Sequence, residues 1–410
     1  MRDLLRNTIA PISSLLIIML GTSFFNTFVS IRVSEDGWNN FTTGLVYSAY
    51  YAGMMTGAVY MERVIRRTGY IRAFSLFASI ISTAIILQSF TSSPFTWILF
   101  RFFTGLATAG LFIVIESWLL LLSSPNTRGS VLAIYMVTLY SAQSLGQFIL
   151  NFVEVKEITS FNVTILFCSL SIVPVCLMKA NAPSLHQSEY VNIFYILKKT
   201  PLGFIGNLAA GLIVGSFYAL GPVFAKETGF EMWQITLIMA ITIFGGMALQ
   251  WPIGRFSDLI DRRKVIILVS FVLMSISLTL FFFESLPFYL LLILLFLFGG
   301  FSFTIYPLSI TYCSDFFSSA GIMAMTCAAL IIYGSGCILG PLLSPLVMEA
   351  TKPSGLFLFC AIISFILGII ALWKQRRSPR QLQETKESYQ PMPNLSPRSS
   401  ELDPRANLNE

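Results

Sequence analysis

Long apolar segments separated by short polar connectors run along most of the chain. Twelve of these segments approach or exceed the length of about 20 residues that an apolar helix needs to cross a bilayer. They predict membrane spans at 9–31, 41–62, 73–91, 95–122, 131–153, 161–179, 203–224, 233–253, 265–283, 287–312, 320–346 and 355–373. We therefore expect an all-α polytopic membrane protein.

The composition agrees with many membrane spans and excludes several kinds of site. Of the 410 residues, 55% are hydrophobic and 11% are charged, whereas a soluble domain has about 25% charged residues. The single histidine lies in a polar connector, and the six cysteines lie in or beside apolar segments, which indicates neither a disulfide framework nor a metal cluster. Because no nucleophile–base cluster or phosphate-binding loop is evident, we expect no enzyme activity, no metal and no cofactor.

Lysine and arginine residues concentrate in alternate connectors. With the N-terminus placed inside, the inner loops and the two chain ends hold 21 of the 26 basic residues, the outer loops hold four, and Arg101 lies within a span. This bias predicts that both termini are cytoplasmic. The net charge of +6 is then a signal of topology, and we expect no nucleic-acid partner.

Glycines recur at corresponding places in the two halves of the chain. The pairs Gly21 and Gly215, Gly53 and Gly246, Gly105 and Gly299, and Gly146 and Gly340 are 193 or 194 positions apart. Two six-helix bundles related as parallel repeats are typical of transporters, whose substrate site lies between the bundles near the bilayer midplane.

The repeat and the polar connectors divide the chain into four parts. We predict an N-terminal six-helix bundle at 1–179, a cytoplasmic linker at 180–202, a C-terminal six-helix bundle at 203–373 and a cytoplasmic tail at 374–410. The tail is rich in proline, serine, glutamate and arginine. Such a composition does not bury enough apolar surface to fold alone, so we expect the tail to be disordered.

The span at 95–122 carries two charges deep in its apolar sequence, Arg101 and Glu116. A charge near the bilayer centre costs about 2.5–3.5 kcal/mol on insertion scales, so it usually faces a polar interior. The two residues are 15 positions apart, which is about 22 Å along a helix and nearly the same side of it. We expect them to line one cavity at different depths.

Glu116 has three possible roles. A desolvated carboxylate can exchange a proton near neutral pH, and it can instead bind a cationic or hydroxylated substrate. The third possibility is a structural glutamate that is hydrogen-bonded to serine or tyrosine near the inner face. The sequence leaves these three interpretations open.

Two further sets of residues are singled out by their type within the spans. Polar and aromatic positions in five spans are candidates for the cavity wall: Asn26, Tyr140, Gln143, Gln147, Tyr218, Tyr306 and Tyr333. Small residues and a proline predict close helix packing at Gly105, Gly146, Gly336, Gly340 and Pro341.

The connector after the eighth span combines a glycine, an acid and a basic cluster. Gly254, Asp258, Arg262 and Arg263 stand at spacings that resemble the G-x-x-x-D-R-x-G-R-R/K signature of the major facilitator superfamily. The connector after the second span keeps only part of that pattern. The resemblance implies a cytoplasmic gate made of Gly254, Arg255, Asp258, Arg262 and Arg263 in one half and Glu62, Arg67 and Gly69 in the other.

Other segments extend this resemblance over all twelve spans. Arg101 and Gly105 match an R-x-x-x-G element of the same superfamily, whose arginine is linked to proton coupling in many members; the alternative is a fixed counter-charge that packs helices. The sequence segments around Glu116, Gln147, Gln250 and Tyr306 resemble those of the YcaD branch of bacterial inner-membrane members. This implies a bacterial cytoplasmic membrane but no particular substrate.

These observations predict a secondary active transporter that moves a small solute by alternating access, with proton coupling through Glu116 and Arg101. The expected partners are a small-molecule substrate, the lipid bilayer and protons, and we expect a monomer. The alternative is a receptor or scaffold without transport activity that keeps the transporter fold.

Overall fold

Twelve α-helices follow one another along the described part of the chain, where the apolar segments predict them. The structure, a computed structural model, describes residues 2–123, 127–177, 199–282, 286–317, 319–377, 389–393, 396, 398 and 403. The helices are α1 (Arg2–Glu35), α2 (Asn40–Thr68), α3 (Tyr70–Ser89), α4 (Pro94–Leu121), α5 (Arg128–Gly146), α6 (Thr159–Cys176), α7 (Pro201–Glu227), α8 (Met232–Leu259), α9 (Arg262–Phe282), α10 (Phe288–Ser314), α11 (Ser319–Ala350) and α12 (Gly355–Arg377). The predicted all-α fold is confirmed. We call α1–α6 the N half and α7–α12 the C half.

Two helices differ from the rest in polarity. Within the described residues, ten helices are long and apolar enough to cross a membrane. The remaining two, α2 and α5, carry more glycine, hydroxyl and amide positions. Each packs against a helix of the C half, α2 against α11 and α5 against α8. Polar residues therefore concentrate on helices that lie at the boundary between the halves, where protein replaces lipid as the neighbour.

Capping residues set the short connectors between helices. The Asn39 side chain caps α2 by accepting a hydrogen bond from the backbone N–H of Thr42 at 2.9 Å. Gly69, with a φ of 81°, ends α2 and lets α3 begin at the next residue. A short 3-10 helix, Gln147–Phe152, follows α5 and completes the span predicted at 131–153.

Glycines bring α2 against α4 and, in the same way, α8 against α10. A Cβ atom on Gly105 would lie 2.0 Å from a backbone carbonyl oxygen of α2, and one on Gly299 would lie 1.9 Å from such an oxygen of α8. On the facing helices, Gly53 and Gly245 make equivalent approaches of 2.0 Å. The internal repeat is thus visible as matching helix contacts, but the counterpart of Gly53 is Gly245. Gly246, the predicted counterpart, lies against an aromatic side chain instead.

The other predicted packing residues also lie at close approaches. A Cβ atom would lie 2.6 Å from a carbonyl oxygen of α1 at Gly146, and 2.5 and 2.4 Å from carbonyl oxygens of α7 at Gly336 and Gly340. The carbonyl oxygen of Pro341 lies 1.9 Å from where a Cβ on Gly44 would be. Because Gly44 belongs to α2, this contact joins the two halves directly.

The two ends of the bundle differ in how the halves meet. We call the end with residues 62–72 and 254–264 the basic face, and the other end the opposite face. Toward the opposite face, Lys226 of α7 lies 3.5 Å from Glu35 of α1. Ser144 of α5 donates a hydrogen bond at 2.9 Å to a carbonyl oxygen of α8. These contacts hold the halves together on the side away from the basic loops.

Part of the C-terminal tail lies against the basic face, which differs from the disorder predicted for 374–410. Helix α12 continues to Arg377. Residues 389–393, 396, 398 and 403 are described, and the side chain of Met392 is 1% exposed. Composition alone missed this placement because the segment has no core of its own and binds to surfaces of the helices. Residues 180–198 of the predicted linker lie outside the described residues.

Candidate functional site

Arg101 is enclosed by an amide and by aromatic rings. Its side chain is fully buried in α4, and its Nη2 donates a hydrogen bond to Asn26 Oδ1 at 2.8 Å. The guanidinium carbon lies 4.4 Å from the centre of the Tyr50 ring and 5.3 Å from that of the Tyr47 ring. Ring faces stabilise a desolvated guanidinium through cation–π attraction. The structure therefore surrounds this charge with ring faces and an amide oxygen.

Hydrogen bonds connect this arginine to the C half. The Tyr47 hydroxyl donates to the backbone carbonyl of Asn26, whose side chain accepts from Arg101. Ser30 Oγ lies 2.7 Å from the Tyr47 hydroxyl and 2.8 Å from the carbonyl oxygen of Ala219 in α7. A change at Arg101 can therefore reach the contact between α1 and α7 through four linked polar groups.

Glu116 lies near the other end of α4 and is also fully buried. Its Oε1 accepts a hydrogen bond from the Tyr135 hydroxyl of α5 at 2.7 Å. Its Oε2 accepts one from the Ser396 hydroxyl of the tail. The carboxylate thus has the serine and tyrosine partners of the third interpretation, with the serine coming from the tail.

The two charges of α4 have separate surroundings. Arg101 contacts α1 and α2, whereas Glu116 contacts α5 and the tail. Both side chains are 0% exposed. In this conformation the described residues enclose them in two separate clusters, and among those residues no single cavity is lined by both.

A layer of tyrosine and glutamine side chains joins the halves between those two levels. Gln250 of α8 donates a hydrogen bond to the Tyr140 hydroxyl of α5 at 3.0 Å. The Tyr218 hydroxyl of α7 donates to Gln143 Oε1 of α5 at 3.3 Å. The ring of Phe303 packs edge-on against both Tyr140 and Tyr218. We call these five residues the tyrosine–glutamine layer.

The remaining cavity candidates divide between this boundary and the interior of one half. The rings of Tyr306 in α10 and Tyr333 in α11 lie 4.7 Å apart, and both residues are buried. Gln147 donates to Ser23 Oγ at 2.6 Å and accepts from Thr27 at 2.5 Å. Since Ser23 and Thr27 belong to α1, Gln147 contributes to packing within the N half and does not line the boundary.

Asp258 and Arg262 form the centre of the predicted gate in the C half. Arg262 is 2% exposed, and its Nη2 lies 3.2 Å from Asp258 Oδ1. Its Nη1 lies 3.3 Å from Asp315 Oδ1. Asp315 lies in the turn that directly follows α10, and its side chain is 1% exposed. Asp258 also accepts hydrogen bonds from the backbone N–H of Tyr389.

The other gate residues of the C half lie around this pair. Arg255 stacks on the ring of Trp251 at 5.4 Å. Arg263 Nη2 lies 3.0 Å from Asp261 Oδ2. Burial raises the pKa of Asp261, but the hydrogen bonds and the charge of Arg263 outweigh burial and leave that pKa below its ordinary value. Gly254 lies beneath the ring of Tyr389.

In the N half, the predicted gate is connected to the tail. Glu62 Oε1 accepts hydrogen bonds from Arg66 at 2.7 Å and from Arg398 at 2.6 Å. Arg67 is exposed, and Gly69 serves as the turn between α2 and α3. Glu62 is thus the gate residue of this half with a long-range partner.

Sequence reasoning missed several residues of these clusters. A signal for Tyr47 and Tyr50 was available, since they belong to a group of tyrosines in a span of otherwise small residues. The signal for Tyr135 was its place on the polar helix α5. Gln250 is an amide side chain in an apolar span, but it was considered only as part of the family resemblance and not as a site residue. Ser396 gave no signal, because a serine in a polar tail is the ordinary case.

The chain matches the model of the Major Facilitator Superfamily over residues 12–249 and again over 203–402. Its curated relatives include the uncharacterized MFS-type transporter YcaD of Shigella flexneri and of Escherichia coli O17:K52:H18. Both are 26% identical over 371 residues, which cover 90% of this chain and 96% of each relative. These matches extend over most of the two halves.

Solved transporters share the fold. The nucleoside transporter NupG superposes with a TM-score of 0.75 at 15% identity, covering 92% of this chain and 100% of NupG. A bacterial homologue of the human lysosomal transporter Spinster, in an inward-facing and unoccupied conformation, gives a TM-score of 0.67 at 12% identity and covers 89% of this chain and 95% of its own. At such identities the likeness describes architecture and not substrate.

Proposed function

From the premise that the chain belongs to the Major Facilitator Superfamily, in the branch of the YcaD transporters, we propose that it moves a small solute across the cytoplasmic membrane by alternating access. Membership already makes it a multi-pass membrane transporter. The observation that carries the finer proposal is the tyrosine–glutamine layer, which lies between the halves with a buried charge on either side. A solute held at that layer contacts both halves, so a rocking motion can change which face it reaches.

The direction of opening follows from topology. If the basic face is cytoplasmic, as the lysine and arginine distribution predicts, then the contacts at the opposite face close the external side. Lys226 with Glu35 and Ser30 with Ala219 belong to that closed side. We propose that this conformation faces the cytoplasm, with the basic face as its entrance.

The layer favours an uncharged polar solute. Its hydrogen-bonding groups are the hydroxyls of Tyr140 and Tyr218 and the amides of Gln143 and Gln250, and Phe303 supplies an aromatic face. Such groups can donate, accept and stack without adding a net charge. The charges of Arg101 and Glu116 are left for energy coupling.

Proton coupling is proposed to use Glu116 and Arg101. Glu116 is a fully buried carboxylate of α4, and the Tyr135 hydroxyl that donates to it comes from the same helix as Gln143. Protonation of Glu116 therefore changes a hydrogen bond on the helix that lines the solute layer. Arg101 supplies a fixed positive charge, and its hydrogen-bonded neighbours connect it to the contact between Ser30 and Ala219 at the opposite face.

Reconstitution into liposomes tests the proposed function. Purified protein is given a panel of uncharged polar solutes and an internal pH dye, and nucleosides are included because a structural neighbour is a nucleoside transporter. We expect at least one solute to enter and to move protons with it. If no solute in the panel enters or changes the internal pH, with folded protein shown in the same vesicles, the proposal is contradicted and the receptor alternative is favoured.

A matched pair of variants tests whether the transported solute binds at the tyrosine–glutamine layer. Tyr218→Phe removes the hydroxyl that donates to Gln143, and Tyr289→Phe makes the same change at a residue that is 81% exposed. One lost hydrogen bond to a solute is expected to weaken apparent affinity by about tenfold in Tyr218→Phe. Tyr289→Phe is expected to match the unmodified protein. Equal affinities in both variants would place the solute elsewhere.

A further inference from the structure

Described residues of the C-terminal tail bind the C half through Tyr389. The backbone N–H of Tyr389 donates to both carboxylate oxygens of Asp258, at 2.9 and 3.0 Å. Its ring lies on Gly254, where a Cβ atom would be 2.1 Å from a ring carbon. Any larger residue at position 254 would displace the ring, so the glycine leaves the space into which the tail residue Tyr389 packs.

The same tail binds the N half a few residues later. The Ser396 hydroxyl donates to Glu116 Oε2, and Arg398 Nη2 donates to Glu62 Oε1 at 2.6 Å. Hydrogen bonds between a guanidinium and a carboxylate are among the stronger ones in proteins. Tyr389 and Arg398 are nine positions apart, and an extended chain of that length reaches at most about 30 Å. The described contacts therefore join Asp258 of the C half to Glu116 and Glu62 of the N half through one stretch of the tail.

Four of the described tail residues are buried. Tyr389 is 8% exposed, Met392 1%, Ser396 1% and Arg398 3%. Long charged side chains are almost never this deeply buried unless they are paired. The pairing supplied by Glu62 therefore explains how a polar tail that has no core of its own can occupy the basic face.

We propose that Gly254, Asp258, Glu116 and Glu62 form a peptide-binding groove whose occupant is the C-terminal tail, held there through its described residues Tyr389, Ser396 and Arg398, and that the docked tail inhibits transport. The proposal rests on the proposed function. Two consequences give the inhibition. Ser396 holds the oxygen of Glu116 through which a proton would be exchanged, and a segment anchored to both halves prevents the basic face from closing.

The first test measures docking without any transport. Met392→Cys is placed in a background where Cys176, which is exposed, is replaced by serine. Reaction of this cysteine with a maleimide is expected to be slow in the intact groove and about tenfold faster after Arg398→Glu, since a charge-assisted hydrogen bond is lost. Adding Glu62→Arg to Arg398→Glu is expected to restore slow labelling. Arg376→Glu, an equal charge change at an exposed position on α12, serves as the control and is expected to change nothing.

The second test measures inhibition. A chain that ends at residue 388 is expected to transport several-fold faster than the full chain in liposomes, and a synthetic peptide of residues 389–403 is expected to slow it again. Fast labelling of Met392→Cys in the full chain would overturn the groove. Protected labelling with equal flux in both chains would overturn the inhibition. Absence of flux from both chains would instead contradict the proposed function and the inhibition that depends on it, while the labelling still decides the docking.

Discussion

Replacing Glu116 with glutamine is expected to abolish uphill transport driven by a pH gradient while solute exchange continues. Glutamine has nearly the same shape and can still pair with Tyr135, whose hydroxyl lies 2.7 Å from the carboxylate. It cannot take up and release a proton. The variant should therefore bind solute and change conformation, but it should lose the coupling between solute and proton movement.

The measurement compares two modes of flux in the same vesicles. Uphill uptake is driven by an imposed pH gradient, and exchange is followed with labelled solute on one side and unlabelled solute on the other. Glu349→Gln is the matched control, because Glu349 is an exposed carboxylate at the end of α11. Uphill uptake that persists in Glu116→Gln would remove Glu116 as the obligatory proton carrier.

Replacing Arg101 with alanine is expected to reduce both modes of flux, by about 10- to 100-fold. Hydrogen bonds to charged groups contribute about 1.5–3 kcal/mol, and each 1.4 kcal/mol corresponds to a factor of ten. The change leaves the Asn26 amide without its partner and empties the space between the Tyr47 and Tyr50 rings. Because this cluster continues to Ser30 and α7, the contact at the opposite face is affected as well.

A lysine at the same position separates charge from geometry. Arg101→Lys keeps the positive charge over the rings but replaces the planar guanidinium by a single ammonium group. We expect intermediate flux. Arg72→Ala, at an exposed arginine of α3, is the control and should match the unmodified protein. Full activity in Arg101→Ala, with normal folding, would show that the arginine only packs helices.

The fold could be predicted from the sequence because its main determinant, the length of apolar segments, is local. Each of the twelve segments corresponds to one α-helix, and the fifth also includes the short 3-10 helix after α5. The repeat was also accessible, since a glycine that permits helix contact in one half has a counterpart in the other, as with Gly105 and Gly299. The choice of Gly246 over Gly245 as a counterpart failed because both are small, and only the packed helices show which one meets a backbone.

The site was less accessible because it depends on contacts between distant parts of the chain. Arg101 and Glu116 were found as charges in an apolar span, but their partners Asn26, Tyr135 and Ser396 come from α1, α5 and the tail. Spacing along α4 gives the direction in which each side chain points. It does not give what lies there, so two enclosed clusters could not be distinguished from one open cavity.

The position of the tail also depends on contacts with distant parts of the chain, which its own sequence does not show. Its composition indicates that it has no core of its own. Docking depends instead on acceptors held by the helices, Glu62, Glu116 and Asp258. The pairing of Asp315 depends on a distant helix in the same way: it lies in the turn after α10, and Arg262 of α9 lies 3.3 Å from its carboxylate.

A reversible cross-link between the halves at the opposite face tests alternating access most directly. Asn40 of α2 donates a hydrogen bond to Glu227 of α7 at 3.2 Å, and both lie at that face. The double variant Asn40→Cys with Glu227→Cys, in the Cys176→Ser background, is joined by a short methanethiosulfonate cross-linker. We predict that solute flux stops on cross-linking and returns on reduction, while either single variant transports normally. Unchanged flux through fully cross-linked protein would contradict the claim that the halves must separate at this face to move solute.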